Sequence, residues 1–315
     1  MAAAASLVAG CATEVNAAGD IAQGDDALTL FGLDLTKLKE EKAKRRSELI
    51  AKQAEELANP TRRTKITKLW NSDGPKADDV VQNMSNCYFA AAAAAFAHAR
   101  PEFVQFAIQP RYEIVNNRNT SNQLGYQVNT FEMAEDGSYN TQVAQTIDIE
   151  NTLPLDERGR LLFGRGGNGT FWFPVLERAF ARDHGGYDKI GAYGMADAAL
   201  FRITGVHVTT GLVAKWRKEA AWRRVVAAED HKQPFVACTV LKTPLKGMSE
   251  HHCNALVGYE KKDGQRYIRM YNSRRSLFLP ENNQRVSENT PNGYYWLTLD
   301  EFIGVFDVMS YTTEM

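Results

Sequence analysis

Cys87 opens an alanine-rich stretch, Asn86-Cys87-Tyr88-Phe89 running into Ala90 to Ala95, Phe96, Ala97 and His98. Alanine is the strongest helix former, so the spacing predicts a helix with a thiol in its first turn. The positive end of the helix dipole favours thiolate over thiol, and the thiolate is the nucleophile. Two adjacent histidines, His251 and His252, head an apolar run far along the chain. Neighbouring side chains on a strand point to opposite faces, so only one of them can face a cleft shared with Cys87. Asp263-Gly264 marks a hairpin turn between expected strands at His252 to Tyr259 and Tyr267 to Tyr271. The start of one strand and the end of the next then return to the same end of the sheet, which brings Asn272 beside His252. Both Asn254 and Asn272 also admit a plainer reading, as strand-end residues with local bonds.

The elements that must position these groups are readable in part. Thr170 can cap a helix from Phe171 to Asp183, with Trp172, Val175, Ala179 and Phe173, Leu176, Phe180 at helical spacing and Gly185-Gly186 ending it. A second helical pattern runs from Trp216 to Ala228. Pro234 to Leu241 reads as a buried strand, with Cys238 as an inert core thiol. Further strands are expected at Gly293 to Leu299 and Phe306 to Tyr311, and a half-exposed one at Tyr126 to Phe131. Gly164-Arg-Gly-Gly-Asn-Gly169 lacks the flanking strand and Lys-Ser/Thr helix start of a phosphate cradle, so it reads as a loop. His98, His184, His207 and His231 show no ligand spacing.

At 315 residues and net charge −1, the chain is long enough for two lobes and points to neither nucleic acid nor an anionic membrane as partner. No apolar run approaches bilayer length, so no membrane span is expected. Four cysteines (Cys11, Cys87, Cys238, Cys253) without paired spacing argue against a sulfur-bound metal and against a disulfide framework. Val8-Ala9-Gly10-Cys11 resembles a lipoprotein cleavage box, but positive residues before the short apolar core are missing, so an unstructured leader is favoured. A charged helix is expected from Thr36 to Leu57, as a solvated or docking element that could bind a partner or occupy the groove. Three parts follow: residues 1–60 as arm and helix, 61–205 as a helical part bearing Cys87, and 206–315 as a β-rich part bearing His252 and Asn272. A reducing cytoplasm suits the few cysteines, and delivery from a bacterium into another cell suits the leader.

Three blocks in order resemble the calpain-type cysteine proteases. The first is Asp79-Val-Val-Gln82 through Asn86-Cys87-Tyr88-Phe89-Ala90-Ala91. The second is Phe171-Trp172 with Leu176-Glu177-Arg178-Ala179-Phe180-Ala181-Arg182 and Gly185-Gly186-Tyr187. The third is His252-Cys-Asn-Ala-Leu-Val-Gly258, followed by Arg269-Met-Tyr-Asn272. Tyr294-Tyr295-Trp296-Leu297 with Phe302 and Phe306 resembles the closing segment, so the likeness runs from about Asp78 to Tyr311. It departs where Asn272 is followed by Ser273-Arg274-Arg275 rather than Pro-Trp-Gly, and where Gln82 lies one residue nearer the cysteine.

The resemblance implies an α+β, papain-like two-lobe core that hydrolyses peptide bonds in protein or peptide substrates through a thioester. Cys87 would be the nucleophile, His252 the base (favoured over His251 by the match at Gly258), Asn272 its orienting partner, and Gln82 an oxyanion donor. No cofactor is required. Calcium enters through the likeness alone, with Asp79 and Asp188 at ligand-like positions, though an exposed turn carboxylate is the plainer reading. A degenerate binding module and a Cys-His-Asn acyltransferase or amidase remain alternatives.

Overall fold

Alanine at every position from 90 to 95 strips side-chain bulk from a helix, which allows other elements to close around it. In the computed structural model, residues 62–133, 139–192, 194–213, 217–239, 250–275 and 292–313 are described. Cys11, the expected helix from Thr36 to Leu57 and Leu241 lie outside them. The chain enters through β1 (Arg63–Lys65), a 3₁₀ turn at Ala77–Asp79 and β2 (Val80–Val81), then forms α1 (Cys87–Ala99) and α2 (Pro101–Ala107). All of α1 is buried except half-buried His98. A helix apolar on every side belongs in the centre of a protein, and α1 lies there. It stops because proline disfavours helical backbone in the residue before it: Arg100 leaves at φ −142° and ψ 62°, ahead of Pro101.

Next come β3 (Ile108–Val115), β4 (Arg118–Met133) and β5 (Tyr139–Glu150), an antiparallel three-stranded sheet. Asn116 and Asn117, at φ 51° and 59°, supply the paired left-handed residues of its first hairpin. The expected short strand at Tyr126 to Phe131 is the middle of β4, where Tyr126, Val128 and Thr130 are buried and Gln127 is exposed. β6 (Thr152–Pro154) pairs with β1, and β7 (Arg165–Gly166) with β2. The glycine-rich segment packs on the turn before β2: a Cβ on Gly167 would stand 2.2 Å from the Asp78 carbonyl oxygen. Gly166 and Gly167 thus serve close backbone approach.

The middle of the chain holds α3 (Trp172–Asp183), α4 (Tyr187–Ala192) and α5 (Ala196–Thr204). α3 closes with Gly186 N–H donating to Ala181 O at 2.7 Å and Gly185, at φ 79°, donating to Arg182 O, a Schellman ending. Then follow β8 (Val208–Leu212), α6 (Lys218–Asp230), β9 (Phe235–Thr239), β10 (His252–Lys262), β11 (Gln265–Tyr271), β12 (Tyr294–Thr298), α7 (Leu299–Val305) and β13 (Val308–Thr312).

The six-stranded antiparallel sheet runs β12-β11-β10-β9-β13-β8. Alternation along its strands divides the core. Val236, Cys238, Cys253, Ala255 and Val257 join the cluster built around α1, α3 and α5. Ala237, Leu256, Ile268 and Met270 join Trp222 and Val225 of α6 and Phe302 of α7 on the other side. The observed mixture of helices and antiparallel sheets is the α+β, papain-like arrangement expected. One expectation is corrected. Cys238 is bonded to Cys253, which faces it directly across β9 and β10, so this bridge follows from strand register.

Candidate active site

Cys87 begins α1, and the loop before it is tied down on both sides. Asn86 is the residue before the helix; its carbonyl accepts the first helical bonds from Phe89 and Ala90, each at 3.0 Å. Its own N–H donates to Met84 O at 2.9 Å. Gln82 N–H donates to Ser273 O at 2.9 Å, and Ser273 Oγ donates back to Gln82 Oε1 at 3.1 Å. The Gln82 carboxamide nitrogen is directed at Met84 O, 2.6 Å away. Cys87 Sγ lies 3.8 Å from the carbonyl oxygen of His251. Among the described residues no cysteine is a free thiol, so nucleophilic chemistry here is that of the reduced Cys87.

His252 is the first residue of β10, anchored by its N–H to Thr239 Oγ1 at 3.0 Å. His251 before it has left-handed backbone at φ 47°, which turns its carbonyl toward the sulfur. His252 Nε2 lies 2.8 Å from Asn272 Oδ1. Arg274 N–H also points at that oxygen, at 3.0 Å. A backbone N–H can only donate, so this atom is the carboxamide oxygen and the Nε2 bound to it carries a proton. The neutral imidazole then keeps its lone pair on Nδ1. Asn272 is held by its N–H to Gly293 O at 2.8 Å and by its carbonyl, which accepts from Arg275 N–H at 3.0 Å. Both Cys87 (0 % exposed) and His252 (1 %) are shut off from solvent. That burial, with the positive charge of Arg274, pushes His252 down to about 3 from 6.5, against the pull of Asn272.

A cysteine at a helix start, its sulfur touching the carbonyl that precedes a histidine–asparagine pair on an antiparallel sheet, is an arrangement shared with a known family. The model of the calpain family of cysteine proteases matches residues 34–274. The chain belongs to that family. In this calpain-family chain the match spans α1, β10 and Asn272.

Glu177 was not singled out from the sequence. It lies in α3, fully buried, with Oε1 accepting from Asn86 Nδ2 at 2.8 Å and Oε2 accepting from Gly164 N–H at 2.7 Å. It therefore braces the residue that precedes Cys87. Burial raises its carboxyl to about 7 from 4.5, against both hydrogen bonds. Asn86 Oδ1 has no partner in the same buried space. The signal was present in the pattern: Glu177 stands four residues after Phe173 and three before Phe180, a charge on the apolar face of the helix.

Asp79 and Asp188 do not come together as a calcium cage. Asp79 Oδ2 accepts from Trp172 Nε1 and from Lys76 N–H, both at 2.9 Å, and Oδ1 accepts from Asn168 at 3.2 Å. Asp188 is exposed on α4. Calcium takes six to eight oxygen ligands, and no group of three or more His, Cys, Asp or Glu residues converges among the described residues.

Proposed function

We propose that this calpain-family chain is a cysteine endopeptidase acting on protein or peptide substrates without a required cofactor. The hydrogen bond between His252 Nε2 and Asn272 Oδ1, at the strand end whose preceding carbonyl touches Cys87 Sγ, carries this reading. His252 Nδ1 takes the proton of the Cys87 thiol as sulfur bonds to the substrate carbonyl carbon. The imidazolium returns that proton to the amine as the C–N bond breaks, leaving a thioester. Water, deprotonated by the same imidazole, attacks the thioester, releasing the acid and restoring the thiol. Asn272 keeps the imidazole in the tautomer this cycle needs. Gln82 serves the oxyanion by turning its carboxamide N–H away from Met84 O; the backbone N–H of Cys87 is the second donor.

Closure of the site means that substrate enters only after the two walls part. The same closure favours one alternative, a degenerate protease fold that binds rather than cuts. Reduced protein separates the two. An endopeptidase reacts with a peptidyl epoxide at Cys87, is protected by leupeptin, and loses casein cleavage in Cys87→Ala with its circular dichroism unchanged. A folded, reduced chain that neither labels nor cleaves is a binding module. Transfer to an added amine without hydrolysis would identify an acyltransferase. No helix among the described residues is long and apolar enough to cross a membrane. The Cys238–Cys253 bridge supports placing the protein in an oxidising compartment, as for a secreted or delivered protein, over the cytoplasm.

A further inference from the structure

Arg274 is exposed, two residues past Asn272, and its backbone N–H shares the carboxamide oxygen that holds His252. Its neighbour Arg275 is differently occupied, donating to the Asp78 carbonyl across the molecule. Among the described residues Arg274 forms no ion pair with a carboxylate, yet its charge is felt at the His252 ring. The imidazole delivers its proton to the leaving amine, so the departing half of a peptide lies beside His252. Arg274 N–H shares the carboxamide oxygen that holds this ring, so the loop 272–274 borders the histidine beside which the departing half leaves.

We infer that Arg274 is a specificity-determining residue that selects peptides carrying Asp or Glu at the first or second position after the cleaved bond. The inference rests on the endopeptidase reading above. A carboxylate there is attracted to the guanidinium, and it also offsets the repulsion between that cation and the imidazolium formed during acylation. The second effect exists only once the imidazolium forms, so it raises kcat as well as lowering KM.

The test uses reduced full-length protein and matched quenched peptides with Glu, Gln or Lys at those positions. Wild type should cleave Glu over Lys by roughly tenfold in kcat/KM, with the ratio shrinking as salt is raised. Arg274→Gln should bring the ratio close to one, and Arg274→Glu should invert it. Equal cleavage of all three peptides by wild type, or an acidic preference that survives both substitutions, overturns the inference and leaves the endopeptidase intact. If no peptide is cleaved in a Cys87-dependent manner, the endopeptidase reading falls and takes this inference with it.

Discussion

Two buried titrating side chains flank Cys87, and they pull stability in opposite directions with pH. His252, lowered to about 3 from 6.5, binds fewer protons folded than unfolded between those values. Its contribution is full above about 6.5 and is lost as pH falls toward 3. Glu177, raised to about 7 from 4.5, holds its proton more tightly when folded. Its contribution is full below 4.5 and is lost as pH rises through 7. The two slopes partly cancel in wild type, so a difference measurement is needed. Glu177→Gln keeps an acceptor for Gly164 and offers a donor to the unpartnered Asn86 Oδ1 once that amide turns over. The stability of Glu177→Gln relative to wild type, from urea unfolding, is expected to climb between pH 4.5 and 7 and level off beyond. A flat difference would show that Glu177 does not change ionisation with folding. The sequence shows Glu177 as an acid on an apolar face; its partner Asn86 lies 91 residues away, a proximity that only tertiary packing reveals.

The elements divide by how strongly local chemistry dictates them. α1 is legible because alanine propensity and the Arg100-Pro101 stop agree, and the β10–β11 hairpin because Asp263, at φ 51°, and Gly264 take up the left-handed turn. The three-stranded sheet is hardly legible: β3 carries Gln109, Pro110 and Arg111, and its partner β4 is polar at its start. Long-range pairing, rather than propensity, makes these segments strands. The Cys238–Cys253 bridge is invisible for a similar reason, since fifteen residues of sequence say nothing about which two positions face each other in register. At α1 the tight alanine packing has a measurable cost when disturbed. Ala93→Leu, at a site with 0 % exposure, is expected to destabilise by about 1–3 kcal/mol in guanidinium unfolding through overpacking. A loss under half that size would mean the surrounding elements give way easily.

Across the whole molecule, the cysteine-bearing and histidine-bearing portions are fastened at three points close to the site. Tyr271 Oη donates to Val80 O at 2.6 Å, Ser273 exchanges bonds with Gln82, and Arg275 donates to Asp78 O. All three join the segment 78–82 to the segment 271–275. The expected positions of Cys87, His252 and Asn272 follow from hairpin and helix logic; these fasteners join the first sequence block to the end of the third, and that pairing emerges only from the fold. Tyr271→Phe leaves the buried Val80 carbonyl without its donor, at a cost of about 1–3 kcal/mol. If opening along this seam controls entry, the same variant alkylates faster at Cys87 with a small reagent such as iodoacetamide, while remaining folded by near-ultraviolet circular dichroism. An unchanged alkylation rate would place the entry route elsewhere.

The bridge between β9 and β10 has a practical outcome for anyone assaying the molecule. Cys253 is the residue immediately after His252, and its bonded partner Cys238 precedes Thr239, whose hydroxyl anchors the His252 backbone. A reagent strong enough to liberate Cys87 therefore also threatens the tether beneath its base. Turnover plotted against dithiothreitol concentration should climb, crest and decline, whereas a Cys238→Ala, Cys253→Ala double variant should show the climb without the decline. Preparation in an oxidising host, followed by a brief and gentle thiol treatment, is the regime in which both sulfur chemistries coexist.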